Sequence, residues 1–161
     1  MRTRALDVSV WMFLGAVGLV LAAPVQATEG IVGTWKMNMA KSTFSPGPAP
    51  KSITTKIEAA GAGIKITSDG VGPDGKPTHA SYTVNFDSKD VAATGLPNSA
   101  ETIAYKKIDD NTYESISKAK GKVVATARIV ISKDGKTRTG TAVGTTVDGK
   151  PLKTFTVFER Q

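Results

Sequence analysis

The stretch GTWKMNMAKSTFSPGPAP, Gly33 to Pro50, decides how the chain is read. A tryptophan stands between a small turn-forming pair and a lysine, and a proline-rich segment follows at once. Proline has no amide to donate to a sheet, so Pro46, Pro48 and Pro50 bar a central strand and bias residues 40–52 toward a stiff, extended loop. A strand carrying Trp35 therefore ends before them. Such a strand is either the opening of a closed β-barrel around a small molecule, or the edge of a solid β-domain.

Upstream, MRTRALD brings Arg2 and Arg4, and an apolar run of 16 residues follows from Val8 to Ala23. Val25-Gln26-Ala27 then places small residues at the positions that signal peptidase reads, which completes the anatomy of a secretory leader. The run falls short of the ~20 residues a membrane span needs. The expectation is a leader over 1–27, removed after Ala27, and one domain over 28–161 with no membrane insertion. The chain has no cysteine, hence no disulfide framework and no lipid-attachment site. These features imply an exported protein, periplasmic or secreted, held together by its core alone.

The remaining 134 residues suit a single domain and carry 19 basic against 13 acidic side chains, a net charge of +6. The lysines stand singly or in pairs near strand ends and turns, with no basic helix or aromatic-studded stripe. No nucleic-acid partner is implied, and turn lysines of this kind blunt strand edges.

Beyond Gly30 no helical period stands out. Thr, Val, Ile and Gly dominate, and turn signals recur every 10 to 15 residues, among them Asp74-Gly75, Asp109-Asp110-Asn111, Gly121, Asp134-Gly135 and Asp148-Gly149. Asp-Gly between alternating runs is a hairpin signal. The spacing predicts ten strands, at 31–38, 52–59, 63–70, 78–86, 89–94, 100–108, 112–119, 122–133, 136–147 and 151–160. The clearest alternation sets Val123, Ala125, Ala127, Ile129 and Ile131 against Val124, Thr126, Arg128, Val130 and Ser132. Tight turns force antiparallel pairing, and closing the meander removes its two free edges. The expected class is all-β: a single antiparallel up-and-down barrel of eight to ten strands.

Catalytic chemistry has little to stand on. His79 is the sole histidine, and a lone imidazole at a strand end reads as a hydrogen-bonding residue. The carboxylate pairs Asp109/Asp110 and Asp87/Asp90 fall in turns, where local hydrogen bonding accounts for them. Neither a metal cluster nor a cofactor motif is present, so the chain reads as a non-enzyme without metal or cofactor. Only eight aromatic residues follow the leader. An interior of Thr, Ala and Val with few rings either leaves a ligand cavity or packs a narrow, filled barrel. In the first case the protein binds a small, mostly apolar molecule, with Tyr82, Phe86, Tyr105 and Phe158 lining the pocket. In the second it is an envelope or interaction protein without a ligand. A monomer is the favoured state in either.

Ile31-Val32-Gly33-Thr34-Trp35-Lys36-Met37 resembles the first strand of the calycin superfamily, which holds lipocalins, fatty-acid-binding proteins and avidins. There a G-x-W motif opens the barrel and an arginine near the end of the last strand packs across the indole. The resemblance assigns barrel closure to Gly33, Trp35 and Arg160. The ten-strand layout is nearest the fatty-acid-binding branch. Lys41-Ser42-Thr43-Phe44, the turn Asp74 to His79 and the hairpin Ser132 to Thr139 also resemble small exported bacterial proteins described as lipocalin-like. Where fatty-acid-binding proteins hold a carboxylate with an arginine and a tyrosine in the last strand, this chain has Thr156 and Phe158. Their helical lid is replaced here by the proline segment.

Overall fold

The computed structural model describes residues 30–161, and the expected leader lies outside the described residues. The strands are β1 (Gly33–Met37), β2 (Thr43–Ser45), β3 (Ser52–Ala60), β4 (Gly63–Val71), β5 (Pro77–Val84), β6 (Val91–Ala92), β7 (Thr102–Lys107), β8 (Thr112–Ala119), β9 (Lys122–Ile131), β10 (Thr137–Thr145) and β11 (Pro151–Arg160). Ten of them follow the order β5-β4-β3-β1-β11-β10-β9-β8-β7-β6, and β2 adds to β11. Every pairing is antiparallel, and β1 sits between β3 and β11, so the chain's first strand joins its last. This is the expected up-and-down barrel, in its ten-strand form.

The ring is incomplete at one seam. β5 and β6 are not zipped together, and the single bridge Ser81–Thr94 spans them. The strand expected at 89–94 shrinks to Val91–Ala92, which pairs with β7, and the chain before it touches the same strand only at single points, the bridge Asp87–Lys106 and Ser88 N–H donating to Tyr105 O at 3.0 Å.

The segment read as a plain loop is more ordered than expected. Asn38 accepts from the amide of Lys41 at 3.1 Å, and the Ser42 hydroxyl donates to Asn38 O at 2.8 Å, which closes a 3-10 turn over Met39–Lys41. The same Ser42 oxygen accepts the Val157 amide at 3.0 Å. The chain then re-enters the sheet as β2 along Lys153–Phe155. The first strand is thus interrupted, not ended, and only the prolines take the chain away from β11.

The core lies toward the end that holds Trp35, where Ile31, Ile57, Ile64, Ile66, Val84, Tyr113, Ile129 and Ile131 cluster. Trp35 is 0% exposed, and its Nε1–H donates to Ile31 O at 2.9 Å. The register sets Arg160 directly across from Trp35, and its guanidinium carbon stands 4.3 Å from the indole centroid. Arg160 donates to Gly135 O, Val32 O and Gly30 O at 2.6, 2.6 and 2.7 Å. It thereby ties the β9–β10 turn to the start of the described chain.

Gly33 makes that approach feasible. Its φ of +145° is a conformation that side chains rarely adopt, and a Cβ there would collide with Arg160 Nη1. Gly33→Ala is expected to lower unfolding free energy by about 1–3 kcal/mol, the usual range for a strained non-glycine backbone. Urea denaturation checks this; an unchanged midpoint would show that the guanidinium moves aside freely.

Candidate functional site

Alternation along each strand sends every second side chain into the barrel. On β9 the inward set includes Ala125, Ala127 and Ile129, and on β10 it includes Arg138, Gly140 and Ala142. Across β8, β9 and β10 the register places Ser115, Ala127 and Ala142 side by side, three small residues in a row. Thr154 and Thr156 continue the inner wall on β11, and Thr55 and Ser68 face in from β3 and β4. Such side chains cannot meet at the centre of a ten-strand barrel, and they leave a cavity of about 650 Å³. A filled barrel, the alternative the composition left open, is therefore not what forms.

The wall has three zones. Around the mouth stand Phe44, Pro46, Pro48, Pro50, Leu96, Pro97 and Leu152, an apolar collar. The proline segment is part of this collar, so it borders the cavity as well as connecting strands. The middle is lined by hydroxyls, with Thr55 and Ser68 bonded to each other at 2.9 Å. At depth lie Tyr82, Tyr105, Phe158, Met37 and Arg138. The Tyr82 and Tyr105 hydroxyls approach to 3.5 Å, the outer limit of a hydrogen bond, and their rings are tilted at a centroid distance of 6.4 Å. Burial, and then the neighbouring Tyr105, push the Tyr82 phenol well above its ordinary range, with Arg138 acting the other way.

Three of the four aromatic residues expected on the wall, Tyr82, Tyr105 and Phe158, face this space. Phe86 does not. β5 ends at Val84, and beyond it Phe86 packs on Tyr113 with ring centroids 5.3 Å apart, away from the cavity. Alternation carried past the end of a strand no longer predicts direction. His79 lies at the mouth, its Nδ1 2.7 Å from Asp69 Oδ1, and both side chains are exposed.

The residue that sequence reading missed is Arg138. It is 9% exposed, and its guanidinium carbon lies 4.1 Å from the Phe158 centroid and 5.9 Å from that of Trp35. Phe158 is its direct cross-strand neighbour. Its Nε is buried without a hydrogen-bond partner. Burial holds the guanidinium below its ordinary value, against the pull of Tyr105 and Tyr82, although arginine stays charged at neutral pH. The available signal was parity: Arg138 shares a strand face with Gly140 and Ala142, which line the cavity.

No protein-family model and no curated protein sequence matches the chain. Among solved structures it is similar to zebrafish ileal bile acid-binding protein, crystallised with cholic acid. The TM-score is 0.51 at 11% identity, covering 82% of this chain and 99% of that one. At that identity the likeness carries the fold, an antiparallel up-and-down β-barrel, and nothing about the residues of the site.

Proposed function

We propose that the protein is a non-enzymatic carrier that binds a small, mostly apolar molecule inside the barrel, and that it works outside the cytoplasm once its leader is removed. The observation that carries this reading is the cavity. A volume of about 650 Å³ falls within the few hundred to about 1,000 Å³ typical of small-molecule sites. Its collar is rich in apolar side chains, and the hydroxyls, phenols and Arg138 within it offer polar groups to orient a guest. The structural neighbour was crystallised with a bile acid in complex, which agrees with small-molecule binding at a coarse level. Tyr82, Tyr105 and Phe158 are the proposed contacts, with Trp35, Gly33 and Arg160 sealing the opposite end.

The test is uptake of an environment-sensitive apolar fluorophore by the purified protein, paired with a variant that occupies the space. Ala127→Trp places an indole at the centre of the wall between Ser115 and Ala142. The expected result is saturable binding to the wild-type protein, weakened at least about tenfold (~1.4 kcal/mol) in the variant. Absence of binding by the wild-type barrel would overturn the carrier reading. Equal binding by Ala127→Trp would place the fluorophore outside the barrel, with the same consequence.

A further inference from the structure

We infer that the guest is an organic anion, an apolar body bearing a carboxylate or similar oxyanion head, and that Arg138 holds the head at the deep end of the barrel. The inference rests on the carrier reading and specifies its ligand class.

Two arginines are drawn into this barrel, and they behave differently. Arg160 gives its N–H groups to three backbone carbonyls, at 2.6, 2.6 and 2.7 Å. That is a guanidinium whose role is complete within the fold. Arg138 is the more buried of the two, yet its Nε has no partner, and no carboxylate among the described residues pairs with it. The guanidinium carbon lies over the Phe158 ring, a cation–π contact that supplies no hydrogen-bond acceptor to the N–H donors.

A buried charge without a counter-charge is strongly disfavoured, and proteins ordinarily pair it or lose it. Among the described residues, the only carboxylate on the cavity wall is Asp69, which is exposed at the mouth and engaged with His79. Tyr82 and Tyr105 can donate to an oxygen at depth, but a phenol hydroxyl brings no counter-charge to the cation. The missing partner is a negative charge that arrives from outside. A planar fork beside two hydroxyl donors suits a carboxylate, and the apolar collar suits the body behind it.

This site differs from the last-strand arginine–tyrosine pair of fatty-acid-binding proteins, whose positions are Thr156 and Phe158 here. The charge enters from β10, across the strand pair from Phe158.

The experiment compares a dansyl-labelled undecanoic acid with its methyl ester, which has the same body and no charge. Both are titrated at pH 7 into the wild-type protein, Arg138→Lys and Arg138→Met. The wild-type protein is expected to bind the acid at least about tenfold more tightly than the ester, as a charged hydrogen-bonded contact does. Arg138→Met should remove that preference while leaving the ester's affinity within about threefold, and Arg138→Lys should keep part of it, since a point charge lacks the fork. A purely structural role for Arg138 would not move the acid-to-ester ratio. Equal affinities in the wild-type protein, or an unchanged ratio in Arg138→Met, would overturn the inference and leave the carrier reading standing. Binding of neither probe would overturn both. The wild-type ratio and Arg138→Lys decide the matter even if Arg138→Met fails to fold.

Discussion

Trp35→Ala is expected to lower the unfolding free energy by about 3–5 kcal/mol, the range for truncating a fully buried tryptophan. Three losses add up at this position. The indole is 0% exposed, so its removal opens a cavity that rigid strands on either side cannot collapse into. The Ile31 carbonyl loses its donor. The Arg160 guanidinium loses the ring beneath it while keeping its three carbonyls. For a domain of this size the thermal midpoint should fall by roughly 10–20 °C. Trp35→Phe bears on the terms, because it keeps an aromatic ring at the site while deleting the N–H and part of the buried volume. A fall below about 1 kcal/mol for Trp35→Ala would show that the end of the barrel holds without its plug.

The frame of this fold is legible in the sequence because its determinants are local. Ala125 to Ile131 alternates in period two, and the Asp-Gly turns at 74, 134 and 148 fix where the hairpins reverse. Each such turn is held by its own side chains, as when Asp134 Oδ1 accepts both Ser132 Oγ–H at 2.5 Å and Lys136 N–H at 3.1 Å. Closure was legible by elimination, since a meander with two bare edges needs a partner for each. What stayed hidden depends on partners far away in sequence. β2 is a strand only because Lys153–Phe155 lie beside it, and β6 keeps its ladder with β7 alone, at Ile103 and Thr102. The site divides in the same way. Small inward residues foretold an unfilled interior, but the charge at its depth did not register. Arg138 follows Asp134-Gly135 closely enough to read as turn decoration, although its parity with Gly140 and Ala142 sets it on the inner face, against Phe158.

Arg138→Met is expected to raise the stability of the ligand-free protein by about 1–3 kcal/mol, the opposite sign to Trp35→Ala. Methionine approaches the volume of the arginine stem, adapts to irregular space and carries no charge that must be stripped of water. Against this stands the loss of the contact with Phe158, which is worth about 0.5–2 kcal/mol for a cation over a ring. The desolvation of an unpaired guanidinium, several kcal/mol for one ion, exceeds that contact, so the net sign favours methionine. Denaturant unfolding of extracted, ligand-free protein measures it. A loss of stability would mean that stacking outweighs desolvation, and that Arg138 serves the fold. The order should reverse when an acid guest is added. Ligand at 100 times its dissociation constant stabilises its binder by about 2.7 kcal/mol. The wild-type protein gains this in full, whereas Arg138→Met, binding at least about tenfold more weakly, gains no more than about 1.4 kcal/mol at the same concentration. A residue that weakens the empty barrel and strengthens the occupied one is placed for the guest. The arginine and the neighbouring small side chains then share one explanation, since both leave the interior unsatisfied until a molecule of complementary charge and shape fills it.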